Sequence, residues 1–498
     1  MPKVVIDNIE VLAPDGATVL EAAESAGIAI PHLCYLKGIE PQTSCLVCVV
    51  RINGAKRMVP SCATKVADGM VIESSSPDVH LARRTALELL LAEHAGECFA
   101  PCSQVCPAHL DIPEMVRQIR ENDMPSAIQT ARDALVLPGV LGYICPGLCE
   151  KGCRRGTAGA HGAAVAICSL HRHVAEVDLH NADHWLPACK PSTGKRIAII
   201  GAGPAGLACA WELLKLGHSC TILDSHPLPG GTLRYGLEPG KLPAEILDAE
   251  VDLITRLGAQ WQMGTTIASI ADLRTQFDAV AATGPVQGAA GGVFISASAT
   301  HARHHAVQAV ADGKELAHQV DDFLASKPHA AHRRFAVRLG ALSEAEMKAW
   351  LGDTSQAPRT IPSAPSKGQS ASFTESEAQD EADRCRLCGC GSTDICALRR
   401  YSIEYSAEPS RYRGHRKPVR TITTHPDLVF EEGKCIACGL CVAIAKQAGE
   451  KTGLAFVGRG FDVQVAVPFG KELAEGLQKA AEAAAKACPT GAIHHRRP

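Results

Sequence analysis

The chain has 498 residues, with 50 basic against 53 acidic side chains, 46% apolar and 21% charged residues. It is too long for one hydrophobic core and too apolar for wholesale disorder, so three to five globular units are expected. The formal net charge of −3 and the 4% of aromatic residues exclude both a basic field and a base-stacking surface for nucleic acid.

The feature that departs from the ordinary is 22 cysteines, most of them clustered. The opening MPKVVIDNIE lacks the basic and apolar regions of a secretory leader, and no apolar run reaches a membrane-spanning length. A cytoplasmic chain without a membrane span is therefore expected. In such a chain, clustered thiols are metal ligands rather than disulfides.

In chain order, residues 1–78 read as short strands with one helix. VVIDNIEVLAP is a hairpin, TVLEAAESAG a helix, and VCVVRING and MVPSCA further strands. Helical periodicity dominates 79–190, in LARRTALELLLAEH, DIPEMVRQIREN and PSAIQTARDAL. From Arg196 a β-branched run, a glycine turn, the helix LACAWELLKLG and the strand SCTILD make a βαβ unit. This third unit covers 191–326 and closes on the helix AVQAVADGKELAHQVDDFLA. Residues 327–384 read as a linker, extended over 354–374, with a capping box from Ser343 to Glu346. Two further cysteine segments follow, at 385–415 and 416–498.

Cys34, Cys45, Cys48 and Cys62 have the spacing C-x10-C-x2-C-x13-C. Loop cysteines on a small β-rich unit suit a [2Fe–2S] cluster; a structural zinc site, the alternative, usually takes two close pairs, and only one pair here is close. The text PHLCYLKGIEPQTSCLVCVV…PSCAT resembles the N-terminal ferredoxin domain of the large iron–sulfur subunit of respiratory complex I and of related hydrogenase subunits.

His94, Cys98, Cys102 and Cys106 recur every fourth residue, as do Cys145, Cys149 and Cys153. The segment resembles the helical iron–sulfur domain at the front of the glutamate synthase small subunit and of dihydropyrimidine dehydrogenase. That resemblance implies two [4Fe–4S] clusters shared between the two runs. The usual first cysteine is absent and His94 stands in its place. The implied sets are His94, Cys98, Cys102 and Cys153 for one cluster, and Cys106, Cys145, Cys149 and a residue near 171 for the other. His171 aligns best there, with Cys168 as its rival. For either histidine the alternative is a helix-surface residue, since the chain carries 21 histidines.

Gly201-x-Gly203-x-x-Gly206 follows a strand and opens a helix, and Asp224 ends the next strand 18 residues after Gly206. Strand, glycines, helix, strand and acid in this order point to a dinucleotide, with the pyrophosphate at the helix N-terminus and Asp224 on a ribose hydroxyl. LDSHPLPGGTLRYGLEPGKLP, with Gly230, Gly231 and Arg234, resembles the FAD domain of the glutamate synthase small subunit, as do FDAVAATGP and GGVFISASATHARHHAVQAVADGKELAHQVDDFLA. Where that family carries an NADPH-binding domain, only Val286 to Ala290 intervene, and the chain has no second G-x-G-x-x-G. Ile295, Ser296 and Ala297 replace the family's Gly-Asp pair near the flavin. The resemblance implies FAD without NADPH; the alternative is a relic Rossmann shell that spaces clusters.

Cys385, Cys388, Cys390 and Cys396 lie within twelve residues, close enough to wrap one cubane or one zinc, and their flanks resemble the C-terminal cluster segment of some glutamate synthase-class flavoproteins. Cys435, Cys438 and Cys441 begin a bacterial-ferredoxin pattern whose fourth member, Cys488, comes 47 positions later and precedes a proline. The long gap and its CPTGA ending again resemble the complex I subunit. Cys168, Cys189, Cys209 and Cys220 are left over.

The expected fold is multidomain, α+β and α/β: a β-grasp-like [2Fe–2S] ferredoxin domain, a helical two-cluster domain, a truncated Rossmann-like FAD domain and C-terminal ferredoxin-like [4Fe–4S] segments. The expected cofactors are one [2Fe–2S] cluster, four [4Fe–4S] clusters and FAD. The expected role is an electron relay between an NADH- and FMN-binding subunit and a hydrogenase- or formate dehydrogenase-like subunit, by analogy with those families. A self-standing FAD oxidoreductase and a cluster-bearing scaffold are the alternatives.

Overall fold

The structure is a computed structural model that describes residues 1–157, 163–267, 269–284, 291–297, 305–329, 335–352, 357–363, 371–412, 414 and 416–496. The chain forms two compact units, and neither is continuous in sequence. The first is Met1–Phe99, Arg333–Gly352 and Gly389–Pro498; the second is Ala100–His332 and Asp353–Cys388.

In the first unit the chain starts with the hairpin Lys3–Ile6 and Ile9–Leu12, turned by Asp7 and Asn8 at φ 46° and 70°. Two consecutive left-handed residues of this type match the right-handed twist of a two-residue hairpin. The five-stranded sheet runs Ile9–Leu12, Lys3–Ile6, Val71–Glu73, Val49–Ile52, Val59–Pro60, with a parallel pairing of Lys3–Ile6 to Val71–Glu73. Helix Val19–Ser25 starts on a capping box between Thr18 and Glu21 and buries Val19, Leu20, Ala22 and Ala23.

Helix Pro77–Glu93 follows. Its Arg83 is 1% exposed and donates 2.9 Å bonds to the Val49 carbonyl and the Tyr405 hydroxyl, so the tail of the chain is fastened to the front. The tail folds as the antiparallel sheet Thr421–Ile422, Leu428–Glu431, Ile493–His495, with helices Leu440–Gln447 and Ala481–Ala487 packed together. The capping box from Ser343 to Glu346 starts helix Glu344–Leu351, and Arg416 pairs with Glu346 at 2.7 Å.

The second unit joins short helices to a parallel sheet. Helices Ile112–Arg120, Met124–Leu135, Pro138–Ile144 and Ile167–His180 bury their apolar faces in one core with the strands. The sheet order is Val293–Ile295, Ala279–Ala282, Arg196–Ile200, Ser219–Asp224, Gln260–Met263, all parallel. A buried charge network ties the parts together: Arg132 donates to Asp178 at 2.5 Å and to Glu250 at 3.3 Å, and Glu250 accepts from the Gly139 and Val140 N–H groups at 2.9 Å each.

Part of the expected linker is packed structure. Helix Glu375–Asp383 buries Ala378, Glu381 and Ala382, and Phe373 is 5% exposed. Glu381 accepts from the N–H groups of Ala166 and Thr360 at 2.7 Å. Residues 364–370, like the expected domain gap at 286–290, lie outside the described residues. Among the described residues no helix is long and apolar enough to cross a membrane.

Candidate metal centres and nucleotide site

The four front cysteines converge in two pairs. The Cys34 and Cys45 sulfurs are 3.3 Å apart, and Cys62 is hydrogen-bonded to Cys48. None of the four is more than 4% exposed. The Cys45 thiol holds Cys34 down to about 5, and the Cys62 thiol holds Cys48 down to about 7, while Cys45 and Cys62 are raised by the same contacts and by burial. A [2Fe–2S] rhomb takes two thiolates on each iron, so two close pairs fit it.

Cys435, Cys438, Cys441 and Cys488 also converge: the Cys441 thiol is raised by burial and by the charges of Cys438, Cys435 and Cys488. Ala437, at φ 51°, donates its N–H to the Cys435 sulfur at 3.4 Å, and the Ile493 N–H reaches the Cys488 sulfur at 3.4 Å. The Cys385-x-x-Cys388 loop repeats the device, with Leu387 at φ 50° donating to the Cys385 sulfur at 3.4 Å. Backbone N–H groups turned onto sulfur are among the levers that set a cluster's potential.

The structure redistributes the remaining expected sets. Cys98 and Cys102 have different neighbours. In the first unit Phe99 bridges Gly389, the Cys390 N–H donates to the Cys98 carbonyl at 3.4 Å, and the Thr393 hydroxyl lies 2.8 Å from that carbonyl and 2.7 Å from the Cys390 carbonyl. The Val337 N–H donates to the Cys98 sulfur at 3.4 Å and the Arg399 N–H to the Cys396 sulfur at 3.4 Å. Cys396, pushed up to about 11 by burial, also feels the charges of Cys390 and Cys98. Cys98, Cys390 and Cys396 are thus neighbours within the first unit.

His94 ends helix Pro77–Glu93. Its Nδ1 is buried without a hydrogen-bond partner, and burial lowers its pKa to about 4. The ring neighbours Lys434, whose ammonium pairs with Glu431 and is hydrogen-bonded to Cys390. Gly96 must lack a side chain here, because a Cβ would sit 2.2 Å from His94 Nε2.

In the second unit Cys102 stands with Cys153, Cys385 and Cys388, whose charges add to burial in raising its thiol. The packing is specific. Helix Pro101–Val105 lies on Leu148–Lys151 so closely that a Cβ on Gly152 would meet Val105 at 2.5 Å. Arg155 donates to the Arg384 carbonyl at 2.8 Å and Arg120 to the Cys385 carbonyl at 2.9 Å, holding the 385 loop in place. Of the four cysteines at 385–396, Cys385 and Cys388 belong to the second unit and Cys390 and Cys396 to the first.

The last group is Cys106, Cys145, Cys149 and Cys168. Cys168 is hydrogen-bonded to both Cys145 and Cys149, and Cys106 feels the charge of Cys145. His171 does not join them. Its Nδ1 lies 3.2 Å from the Pro138 carbonyl oxygen, it is 3% exposed, and burial lowers its pKa to about 4. The two residues lie three positions apart on one face of helix Ile167–His180, and at His171, about one turn farther along, the partner is the Pro138 carbonyl rather than a thiol. Cys209 and Cys220, at 0% and 1% exposure, are core residues of the parallel-sheet domain.

The glycine turn has the shape a pyrophosphate needs. Gly201 is at φ 104°, and a Cβ on Gly206 would lie 1.8 Å from the Gly201 carbonyl oxygen, so strand and helix meet without side chains. Gly203 precedes helix Pro204–Lys215, and the Gly230–Gly231 turn folds back on it through the bond from the Gly230 N–H to the Ala202 carbonyl at 2.8 Å. Asp224 accepts from the N–H groups of Ala202 at 2.7 Å and His226 at 2.9 Å; these outweigh its burial and keep its carboxyl ionised below the usual range. Arg234 is held by the Pro229 carbonyl and by Asp248 beside this turn. These residues fit an adenine dinucleotide.

Comparison with known families agrees with this arrangement segment by segment. Residues 3–77 match a 2Fe-2S iron-sulfur cluster binding domain, and 82–183 match dihydropyrimidine dehydrogenase domain II, 4Fe-4S cluster. Residues 199–263 match an NAD(P)-binding Rossmann-like domain, and 428–495 a 4Fe-4S single cluster domain. The chain is a homologue of iron–sulfur oxidoreductase subunits. Among its relatives are the NADPH-Fe(3+) oxidoreductase subunit beta of Geobacter sulfurreducens, 37% identical over 36% of this chain and 27% of that protein, and the NADP(+)-dependent formate dehydrogenase subunit beta of Moorella thermoacetica, 34% identical over 36% and 29%. The glutamate synthase [NADPH] small chain of Escherichia coli is 32% identical over 38% of this chain and 41% of its own. The chain thus spans between about a quarter and a half of the relatives it matches.

Proposed function

We propose that the chain is an electron-relay subunit with five iron–sulfur clusters and one FAD. The observation that carries this reading is how the cysteines divide. Nineteen of the 22 would serve five sets, and the other three, Cys189, Cys209 and Cys220, would serve none. One group is the paired [2Fe–2S] set Cys34, Cys45, Cys48 and Cys62. Three are four-thiol [4Fe–4S] sets: Cys435, Cys438, Cys441 and Cys488; Cys102, Cys153, Cys385 and Cys388; Cys106, Cys145, Cys149 and Cys168. The fifth, Cys98, Cys390 and Cys396, lacks a fourth thiol, and His94 with its unpartnered Nδ1 is the side chain at hand to complete it.

Bound clusters supply one-electron transfer and FAD couples it to two-electron chemistry. The chain's own residues hold, space and tune them. Within the first unit, Cys34 and Cys438 share one buried cluster of side chains, and the Cys396 sulfur lies 3.7 Å from the Pro489 carbonyl, next to Cys488. Members of the three sets of that unit, Cys34, Cys438, Cys98 and Cys396, thus adjoin around one buried cluster of side chains. Lys434, buried and paired with Glu431, donates a hydrogen bond to Cys390, and a hydrogen bond to the sulfur favours the reduced form of a cluster held there.

Gly201, Gly203, Gly206, Asp224, Gly230, Gly231 and Arg234 would hold FAD rather than a nicotinamide nucleotide. The sequence around Gly230 and Arg234 resembles the flavin form, and a single glycine fingerprint seats one dinucleotide. The relay operates in a reducing, cytoplasmic setting, where thiolate ligands stay available. Beta subunits of formate dehydrogenase and of an NADPH-linked iron oxidoreductase among the relatives favour a place in a multi-subunit enzyme, between an NADH- and FMN-binding subunit and a formate dehydrogenase- or hydrogenase-like subunit.

Stepwise anaerobic reduction of the full chain tests this. Uptake of about seven electrons, one for each of five clusters and two for FAD, is expected, with full reoxidation. A chain that takes up no electrons reversibly is a scaffold, and the relay is wrong.

A further inference from the structure

We infer that the flavin module is an insertion into the iron–sulfur unit, spliced between two ligands of one [4Fe–4S] cluster. At both splice points the chain passes directly from a ligand of that cluster to a ligand of a second one. The inference rests on the cluster reading above and deepens it.

The chain leaves the first unit after Phe99, revisits it over Arg333–Gly352 and returns to stay at Gly389. Phe99 and Gly389 pair with one another as an antiparallel bridge. If 100–388 were deleted in thought, Cys98, Phe99, Gly389 and Cys390 would read as one C-x-x-C loop. The loop is stitched as a continuous one would be. The Cys390 N–H bonds the Cys98 carbonyl, the Thr393 hydroxyl touches the carbonyls of both cysteines, and the Arg399 guanidinium covers the Phe99 ring at 5.2 Å. One stretch of the insert returns to the first unit, where Val337 donates its N–H to the Cys98 sulfur and accepts the Cys98 N–H at 3.3 Å.

The insert carries its own cluster ligands at its two ends. Cys102 comes three residues after Phe99, and Cys388 immediately precedes Gly389. Inside the second unit these two ends meet: the helix bearing Cys102 packs on the segment before Cys153, and Arg155 and Arg120 grip the backbone on either side of Cys385. Along the sequence the ligands therefore alternate, Cys98 to one cluster and Cys102 to the other on the way out, Cys388 and Cys390 likewise on the way back. This also accounts for the cysteine absent before Cys98 in the helical domain, because Cys385 and Cys388 supply thiols from the far end of the insert.

Paired substitutions read the alternation from iron content and from the electron paramagnetic resonance of the reduced chain. Each single Cys→Ser change at 98, 102, 388 or 390 should remove about four iron atoms. The sequence-distant pairs C98S/C390S and C102S/C388S should lose no more than their singles. The sequence-neighbouring pairs C98S/C102S and C388S/C390S should lose about eight. The reverse pattern, with neighbouring pairs losing four and distant pairs eight, would overturn the insertion and leave the relay standing. A wild-type chain with no iron to lose overturns the relay itself. Because cluster loss can unfold the chain, two milder variants repeat the test. Thr393→Val should shift only the signal that C98S removes, and Arg120→Met only the signal that C102S removes. Both variants shifting one and the same signal would contradict the inference.

Discussion

The hydroxyl of Thr393 lies 2.8 Å from the carbonyl oxygen of Cys98, although 295 positions separate them in the sequence. The contact joins the first and third segments of one folded unit and fixes the backbone of Cys98 and Cys390, two members of the proposed fifth set. It also explains why spacing alone misassigns this region. Cys98 and Cys102 look like one run of i, i+4 thiols, while the fold gives each a different set of neighbours.

The [2Fe–2S] set should behave as two irons with known partners. On the proposed reading Cys34 and Cys45 would hold one iron and Cys48 and Cys62 the other, and reduction would add an electron to one of the two. Serine at either member of one pair should therefore give the same class of resonance and potential change, and serine in the other pair a different class. Grouping Cys34 with Cys48 in such spectra would contradict the pairing.

Cys168 and His171 should separate cleanly. Cys168→Ala is expected to lower iron by about four atoms per chain. His171→Leu should leave iron unchanged and cost about 1–3 kcal/mol of stability, because the buried Pro138 carbonyl loses its partner. Iron analysis with thermal unfolding of both variants checks this; iron loss in His171→Leu alone would return the ligand to that residue.

The nucleotide turn offers a pair of glycines with opposite outcomes. At Gly203 the nearest atom to an added Cβ is Gly231 Cα at 3.9 Å, so Gly203→Ala should fold, keep its iron and lose flavin, since the methyl stands where the backbone approaches the pyrophosphate. At Gly206 the same methyl meets the Gly201 oxygen at 1.8 Å, so Gly206→Ala should destabilise the whole second unit. Flavin retained at full occupancy in Gly203→Ala would place the cofactor elsewhere.

The Arg132 network should matter for stability alone. Arg132 and Glu250 have 0% exposed side chains, and Asp178 2%. Arg132→Leu leaves two buried carboxylates without their cation and should cost roughly 3–5 kcal/mol. Denaturant unfolding measures the loss, and cluster potentials in the folded fraction should stay as in the parent chain.

Much of this was legible before any coordinates. The hairpin in VVIDNIEVLAP, the capping box at Ser343, the βαβ turn at Gly201 and the Cys435 pattern are local signals, each written within a few residues, and the fold carries all of them. The long-range partnerships were not. Nothing local in Cys385-x-x-Cys388-x-Cys390 says that the first two thiols serve one unit and the third another; only the bridge of Phe99 to Gly389 decides it. Cys168 and His171 lie on the same face of one helix, so the choice between them turned on how far along that helix the other thiols stand, and a periodicity cannot give that. Lys434 carried no sequence signal, since its effect comes from burial beside Cys390.

The most direct measurement of the central claim is a count of iron, labile sulfide and flavin in the anaerobically purified full-length chain. One two-iron and four four-iron clusters predict about 18 iron atoms, with about one FAD per chain. Near four iron atoms, or zinc in stoichiometric amount, would contradict the relay.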